Sequence, residues 1–157
     1  MPYALQPMIR IRQRREDAAG AALVVARTEE RAAAKTLEER KEELAEYERT
    51  KEERRDRVYD AVMGRPCSMD ELDMAREGVS RIDEEGILKA DNVARAEGVL
   101  HEKEEASAAA QSALNLAIKN RMKIEEHRAA WVEEDRKEQE RIVEFELEDY
   151  TGRKQDD

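Results

Sequence analysis

Between Pro7 and the C-terminal tail, the chain holds one strong interruption to a helix, the stretch GRPCSMDEL from Gly64 to Leu72. Gly64 can close a helix in the left-handed conformation, and Pro66 prevents its continuation. Ser68 and Glu71 have the spacing of a capping box, with Cys67 and Leu72 placed as a hydrophobic staple, so a second helix starts immediately afterwards. A chain with one turn and two long uninterrupted flanks has few folds open to it.

The flanks carry heptad spacing. Upstream, Ile9, Glu16, Leu23, Glu30, Leu37, Leu44, Lys51 and Val58 recur every seven residues, beside Arg12, Ala19, Ala26, Ala33, Arg40, Tyr47, Arg54 and Ala61. Downstream, Leu72, Val79, Gly86, Val93, Leu100, Ser107, Leu114 and Arg121 form one series, and Ala75, Ile82, Lys89, Ala96, Lys103, Ala110, Ala117 and Ile124 the other. Both seams are mostly apolar or small, as a coiled coil requires. Shorter Ala-rich helices packed in another way are the competing reading, opposed by the absence of a second breaker. Disorder, which a charged fraction of 43% would permit, is opposed by the periodicity.

These features predict an all-α fold, a long antiparallel two-helix coiled-coil hairpin with an overhanging C-terminal helix. Helix one is expected over about 7–63, the turn over 64–68, helix two over about 69–149 and a flexible tail over 150–157, all in a single stalk domain. Folding at Pro66 and Cys67 pairs residues whose numbers sum to about 133. Tyr47 then meets Gly86, Ala33 meets Leu100, Ile9 meets Ile124 and Glu30 meets Lys103, while Arg12 opposite Arg121 is a poor pair. At 1.5 Å per residue the helices would measure about 85 Å and about 120 Å, so helix two projects beyond Trp131.

Trp131 and Phe145 are the sole Trp and Phe of the chain and lie near that open end. Trp131 is expected to close the end against Tyr3 and Leu5. Arg10, Arg12, Arg14 and Arg15 form a basic run there, with Lys119, Arg121 and Lys123 beside it. Beyond Trp131 the helix is acidic, with Arg136, Lys137 and Arg141 outnumbered by acids that include Glu138 and Asp149. Ile142 with Phe145, and Val143 with Leu147, form apolar strips of helical spacing through the acid, as a partner-binding helix would.

The net charge of −10, from 29 basic and 39 acidic residues, disfavours a general nucleic-acid or anionic-membrane binder, including an RNA-binding hairpin arm. No apolar run approaches the ~20 residues of a membrane helix, and the first residues lack the apolar core of a secretory signal, which predicts a cytoplasmic protein. The single Cys67 forms no internal disulfide. His101 and His127 are far apart and read as solvent-facing. Neither metal-ligand spacing nor a Gly-rich phosphate loop stands out, so neither a catalytic residue nor a cofactor or metal site is expected.

The opening YALQPMIRIRQRREDAA, the long charged hairpin and the late EEHRAAWVEEDRKEQERIVEFELEDY resemble the YscO family of type III secretion proteins, counterparts of the flagellar FliJ. The resemblance implies a central stalk at the base of the export apparatus, similar to the coiled coil of the rotary ATPase gamma subunit. Such a stalk contacts the hexameric secretion ATPase, links it to the export gate protein and escorts secretion chaperones. By position, Arg10, Arg12, Arg14 and Arg15 and the segment from Trp131 to Tyr150 match the family's terminal regions. From that segment Trp131, Arg136, Glu138, Ile142, Phe145 and Asp149 are taken as partner-binding residues. A structural adaptor or chaperone-binding coiled coil unconnected to an ATPase is the alternative.

Overall fold

A computed structural model describes residues 2–153, and within them the chain forms two helices, α1 (Gln6–Asp60) and α2 (Met69–Arg153), with no strand. The helices pack against each other as a hairpin. α1 ends three residues earlier than the sequence predicts. Val62 and Met63 both donate their N–H to the Tyr59 carbonyl, so the last turn tightens before Gly64 reverses the chain at φ 75°. The break after Gly64 is closed by the reciprocal cap: the Ser68 N–H donates to Glu71 Oε2 at 2.8 Å, and the Glu71 N–H to Ser68 Oγ at 3.2 Å. The Ser68 N–H, and then Arg65, hold the Glu71 carboxyl below its usual range. That contribution is present at neutral pH and is lost as the pH falls through the lowered value. Cys67 is exposed, and Leu72 half-buried, so the staple position covers little surface.

Where a tail is expected from residue 150, the chain is still helical. α2 continues through Tyr150 and Thr151 to Arg153, and the Thr151 hydroxyl donates to the Leu147 and Glu148 carbonyls within the helix. The rest of the predicted tail, 154–157, lies outside the described residues.

The chain divides into two compact units. Unit 2, residues 25–108, contains the turn and the stretches of α1 and α2 next to it. Its core consists of Ala33, Leu37, Tyr47, Ala75, Val79, Ile82 and Ala96, all buried and all on the heptad seams. Tyr47 packs over Gly86, as the register requires. A Cβ built on Gly86 would lie 2.5 Å from the Tyr47 hydroxyl and 2.6–2.7 Å from its ring, so no other residue fits there without a shift. The Tyr47 hydroxyl donates to the Ile82 carbonyl at 2.6 Å, which ties the ring to the facing helix. Arg54 and Glu85 bridge the helices at 2.6 Å, and their hydrogen bond raises the guanidinium pKa and lowers that of the carboxyl. Lys103 bridges at 2.7 Å to Glu29, one residue before the Glu30 that the register selects. Glu30 occupies the half-buried seam itself, while Glu29 flanks it, where a lysine can keep its ammonium in water.

Unit 1 joins residues 1–24 to 109–157. Tyr3, Ile9, Leu23 and Ile124 are buried there, and Tyr3, Ile9 and Ile124 form one cluster with the half-buried Trp131 against it. Ile9 and Ile124 therefore meet as the register predicts. The poor Arg12/Arg121 pair is avoided by divergence. Arg12 donates to the Asn120 carbonyl, whereas Arg121 turns to Glu16 and, at 2.7 Å, to Glu125.

Candidate partner-binding surface

Unit 1 carries every residue that the sequence singles out for binding. α1 begins at Gln6 with Pro7 in its first turn, where a missing N–H costs nothing. The following arginines are then distributed by the helical period. Arg12 falls on the seam, half-buried, while Arg10, Arg14 and Arg15 face solvent. These three, with the exposed Lys119 and Lys123 of α2, make no ion pair with a described residue. This part of unit 1 thus carries five cations without an acidic partner among the described residues. Arg12 and Arg121, by contrast, are spent on cross-helix bonds.

The end of the paired region is aromatic. The Tyr3 and Trp131 rings lie 5.4 Å apart with a tilt of 48°, an arrangement favoured by ring quadrupoles. The Tyr3 hydroxyl also meets His127 Nδ1 at 2.7 Å. Trp131 therefore closes on Tyr3 as expected, whereas Leu5 is exposed and belongs to the surface. His101 faces solvent beside Glu105, but His127, although exposed as a residue, is engaged by Tyr3. Hydropathy gives no sign of that bond, since a polar residue off the heptad seam carries no periodic signal.

Beyond Trp131 every described side chain except the half-buried Asp135 is exposed. The predicted site residues here fall into two groups. In the first, Arg136 bonds to Glu133 at 2.7 Å and to Glu140 at 2.5 Å, Lys137 also reaches Glu133, and Arg141 reaches Glu138 at 3.4 Å. The hydrogen bond that Arg136 donates to Glu133, then the charge of that carboxylate, raises the Arg136 pKa. These pairs consume the basic residues of the segment at the helix's own i,i+3 and i,i+4 spacings. The second group follows: Ile142, Val143, Phe145 and Leu147 are exposed, Asp149 is exposed among them, and Glu144, Glu146 and Glu148 make no ion pair with a described residue.

Between α1 and α2 of this unit runs a groove of about 350 Å³. Met8, Ala19, Leu116 and Ala117 line it, and Arg12 and Arg15 stand at its edge. The sequence signals it only through the small residues at seam positions 19 and 117, which leave room that bulky ones would fill. Among the described residues, no group of three His, Cys, Asp or Glu could hold a metal ion, and no helix is long and apolar enough to cross a membrane.

The described residues thus define an all-α protein of two long helices that pack against each other. The profile of the family described as Type III secretion protein YscO matches residues 5–152, and the chain belongs to that family. Neither the curated proteins nor the solved structures contain a match.

Proposed function

We propose that this chain is a non-enzymatic central stalk of a type III secretion export apparatus, cytoplasmic and at its base. Its open end contacts and regulates the hexameric secretion ATPase, the hairpin links that ATPase to the export gate protein, and the same surface escorts secretion chaperones. The observation that carries this reading is the exposed apolar strip of Ile142 and Phe145 on an acidic helix, beyond a closed aromatic end with cations around it that make no ion pair with a described residue. Ile142 and Phe145 act as apolar anchors, Arg10, Arg14, Arg15 and Asp149 steer charged partners, and Arg12 and Trp131 hold the end in shape. Arg136 and Glu138 keep the docking helix rigid through their intrahelical pairs. One asymmetric rod touches the subunits of a ring unequally, so its binding energy can bias their nucleotide states.

Capture by a purified secretion ATPase, with turnover measured at substoichiometric stalk protein, tests the reading. Capture together with altered turnover is expected. Neither capture nor a change in turnover would sink it. The apolar strips also suit docking into a chaperone groove with no ring involved. Capture of a secretion chaperone without any effect on the ATPase would favour that adaptor reading.

A further inference from the structure

We propose that the groove between α1 and α2 of unit 1 seats an acidic amphipathic helix of a partner protein, at a site separate from the Ile142–Phe145 strip. The groove, of about 350 Å³, extends from Met8 to Ala19 along α1. At 1.5 Å per residue that is about 16 Å, or three helical turns. Ala19, Ala113 and Ala117 present only methyl groups, so a third helix can approach both backbones closely, while Met8 and Leu116 supply the bulkier apolar contacts. Leu116 is 60% exposed and Ala113 is exposed beside it, so this apolar surface meets water. A groove that opens along its length suits a rod better than a small ligand, which needs enclosing walls.

The charge of the lining sets the sign of the partner. Of 157 residues 39 are acidic, yet the chain has no acid before Glu16 and none between Glu105 and Glu125. The antiparallel register brings these two acid-free stretches together, as the contact of Ile9 with Ile124 marks. Glu16 and Asp17 line a different, polar pocket with Gln13 and Arg121. The groove lining therefore holds two guanidinium groups, Arg12 and Arg15, and no carboxylate. Arg12 donates to the Asn120 carbonyl, a neutral group that does not offset its charge, and Arg15 makes no ion pair with a described residue. Arg10 and Arg14 belong to another face, with Pro7 and Ile11, and have no part in the groove. An acidic helix with an apolar stripe matches the lining in both respects, since its leucine-sized side chains meet Met8 and Leu116 and a carboxylate beside them meets Arg15. A basic helix would set like charge against both guanidinium groups, although the net charge of −10 attracts it to the chain as a whole. The inference rests on the groove and not on the secretion reading, and its test contains neither an ATPase nor a chaperone.

The probe is a synthetic alanine-based helix of about five turns, with leucines along one face and glutamates beside them. Fluorescence anisotropy of the labelled peptide against the full chain, at about 0.15 M salt, reads its binding. One-to-one saturation is expected. Arg15→Glu and Ala113→Glu should each weaken it about tenfold or more, since each puts a carboxylate in the groove, and Leu116→Ala should weaken it severalfold. Arg14→Glu makes the same charge change outside the groove and should stay within about threefold of the unchanged chain, because water and salt screen it. The Arg15→Glu chain should bind the peptide with lysines in place of glutamates severalfold more tightly than the unchanged chain does. Circular dichroism confirms that each variant remains helical. Failure to saturate overturns the proposal, and so do equal losses from Arg14→Glu and Arg15→Glu, which would leave only diffuse attraction. A chain that sediments as a dimer until Ala113→Glu makes it monomeric also overturns it, since a second copy then fills the groove. Binding to phosphatidylglycerol vesicles that the peptide does not displace would give the groove to a lipid surface instead and overturn it equally.

Discussion

Tyr47 and Phe145 are both aromatic residues on long, highly charged helices, yet Tyr47 is 4% exposed and Phe145 74%. Local sequence does not separate them, since each sits among glutamates. The difference lies across the interface. Tyr47 faces Gly86 and a carbonyl that accepts its hydroxyl, whereas Phe145 lies past the Tyr3–Trp131 contact with which the paired region closes. The facing helix gives Tyr47 both room and a polar partner, and no described residue gives Phe145 either.

Substitutions can break that contrast. Gly86→Leu should have the largest effect. Its Cβ alone would collide with a ring held by a hydrogen bond, so overpacking near 3 kcal/mol, less about 1 kcal/mol gained in helix propensity, leaves a loss of about 2 kcal/mol. A higher melting temperature would contradict the register. Trp131→Ala should cost about 1.5 kcal/mol, below a full aromatic deletion because the ring is half-buried. Urea unfolding with no loss would show that the end is not closed by Trp131. Gly98→Ala meets open space, unlike Gly86, and should stabilise the chain by about 0.8 kcal/mol. A fall in melting temperature would mean that Gly98 is also covered. The smallest effect belongs to Phe145→Ala with Ile142→Ala, within about 0.5 kcal/mol of unchanged for a dilute monomer. A loss equal to that of Trp131→Ala would require the segment to fold back on the hairpin, and the docking proposal would fall.

Much of the fold was legible because burial in a coiled coil is periodic. All the expected seam positions except Ala61 are buried or half-buried, and Ala61 lies in the turn that follows α1. The turn was readable because Gly64, Pro66, Ser68 and Glu71 each restrict the backbone locally. The polar contacts were not. Lys103 selects Glu29 over Glu30, Arg12 selects a carbonyl over an acid, and His127 meets Tyr3, because a long or polar side chain reaches several positions and periodicity does not choose between them. The candidate surface was readable to the same extent. The positions of its charges were visible, but which of them are neutralised within the chain depends on rotamers. Arg136 and Glu138 thus turn out to be internally paired, whereas Arg10 and Arg14 do not.

The single turn also fixes an order in time. Tyr47 and Ile82 are 35 residues apart in sequence, whereas Tyr3 and His127 are 124 apart. Closing the longer loop first carries the greater entropic cost, while each contact made next to the turn shortens the loop that remains. The chain should therefore zip from Gly64 outward, and the contact that forms last should be the first to fray. Hydrogen exchange at the backbone amides around Ile124 should accordingly be faster than around Ile82, and the reverse ranking would exclude a zipper. On this account the Tyr3–Trp131 clasp is a slow-forming, early-opening latch, whose closure marks the completion of folding.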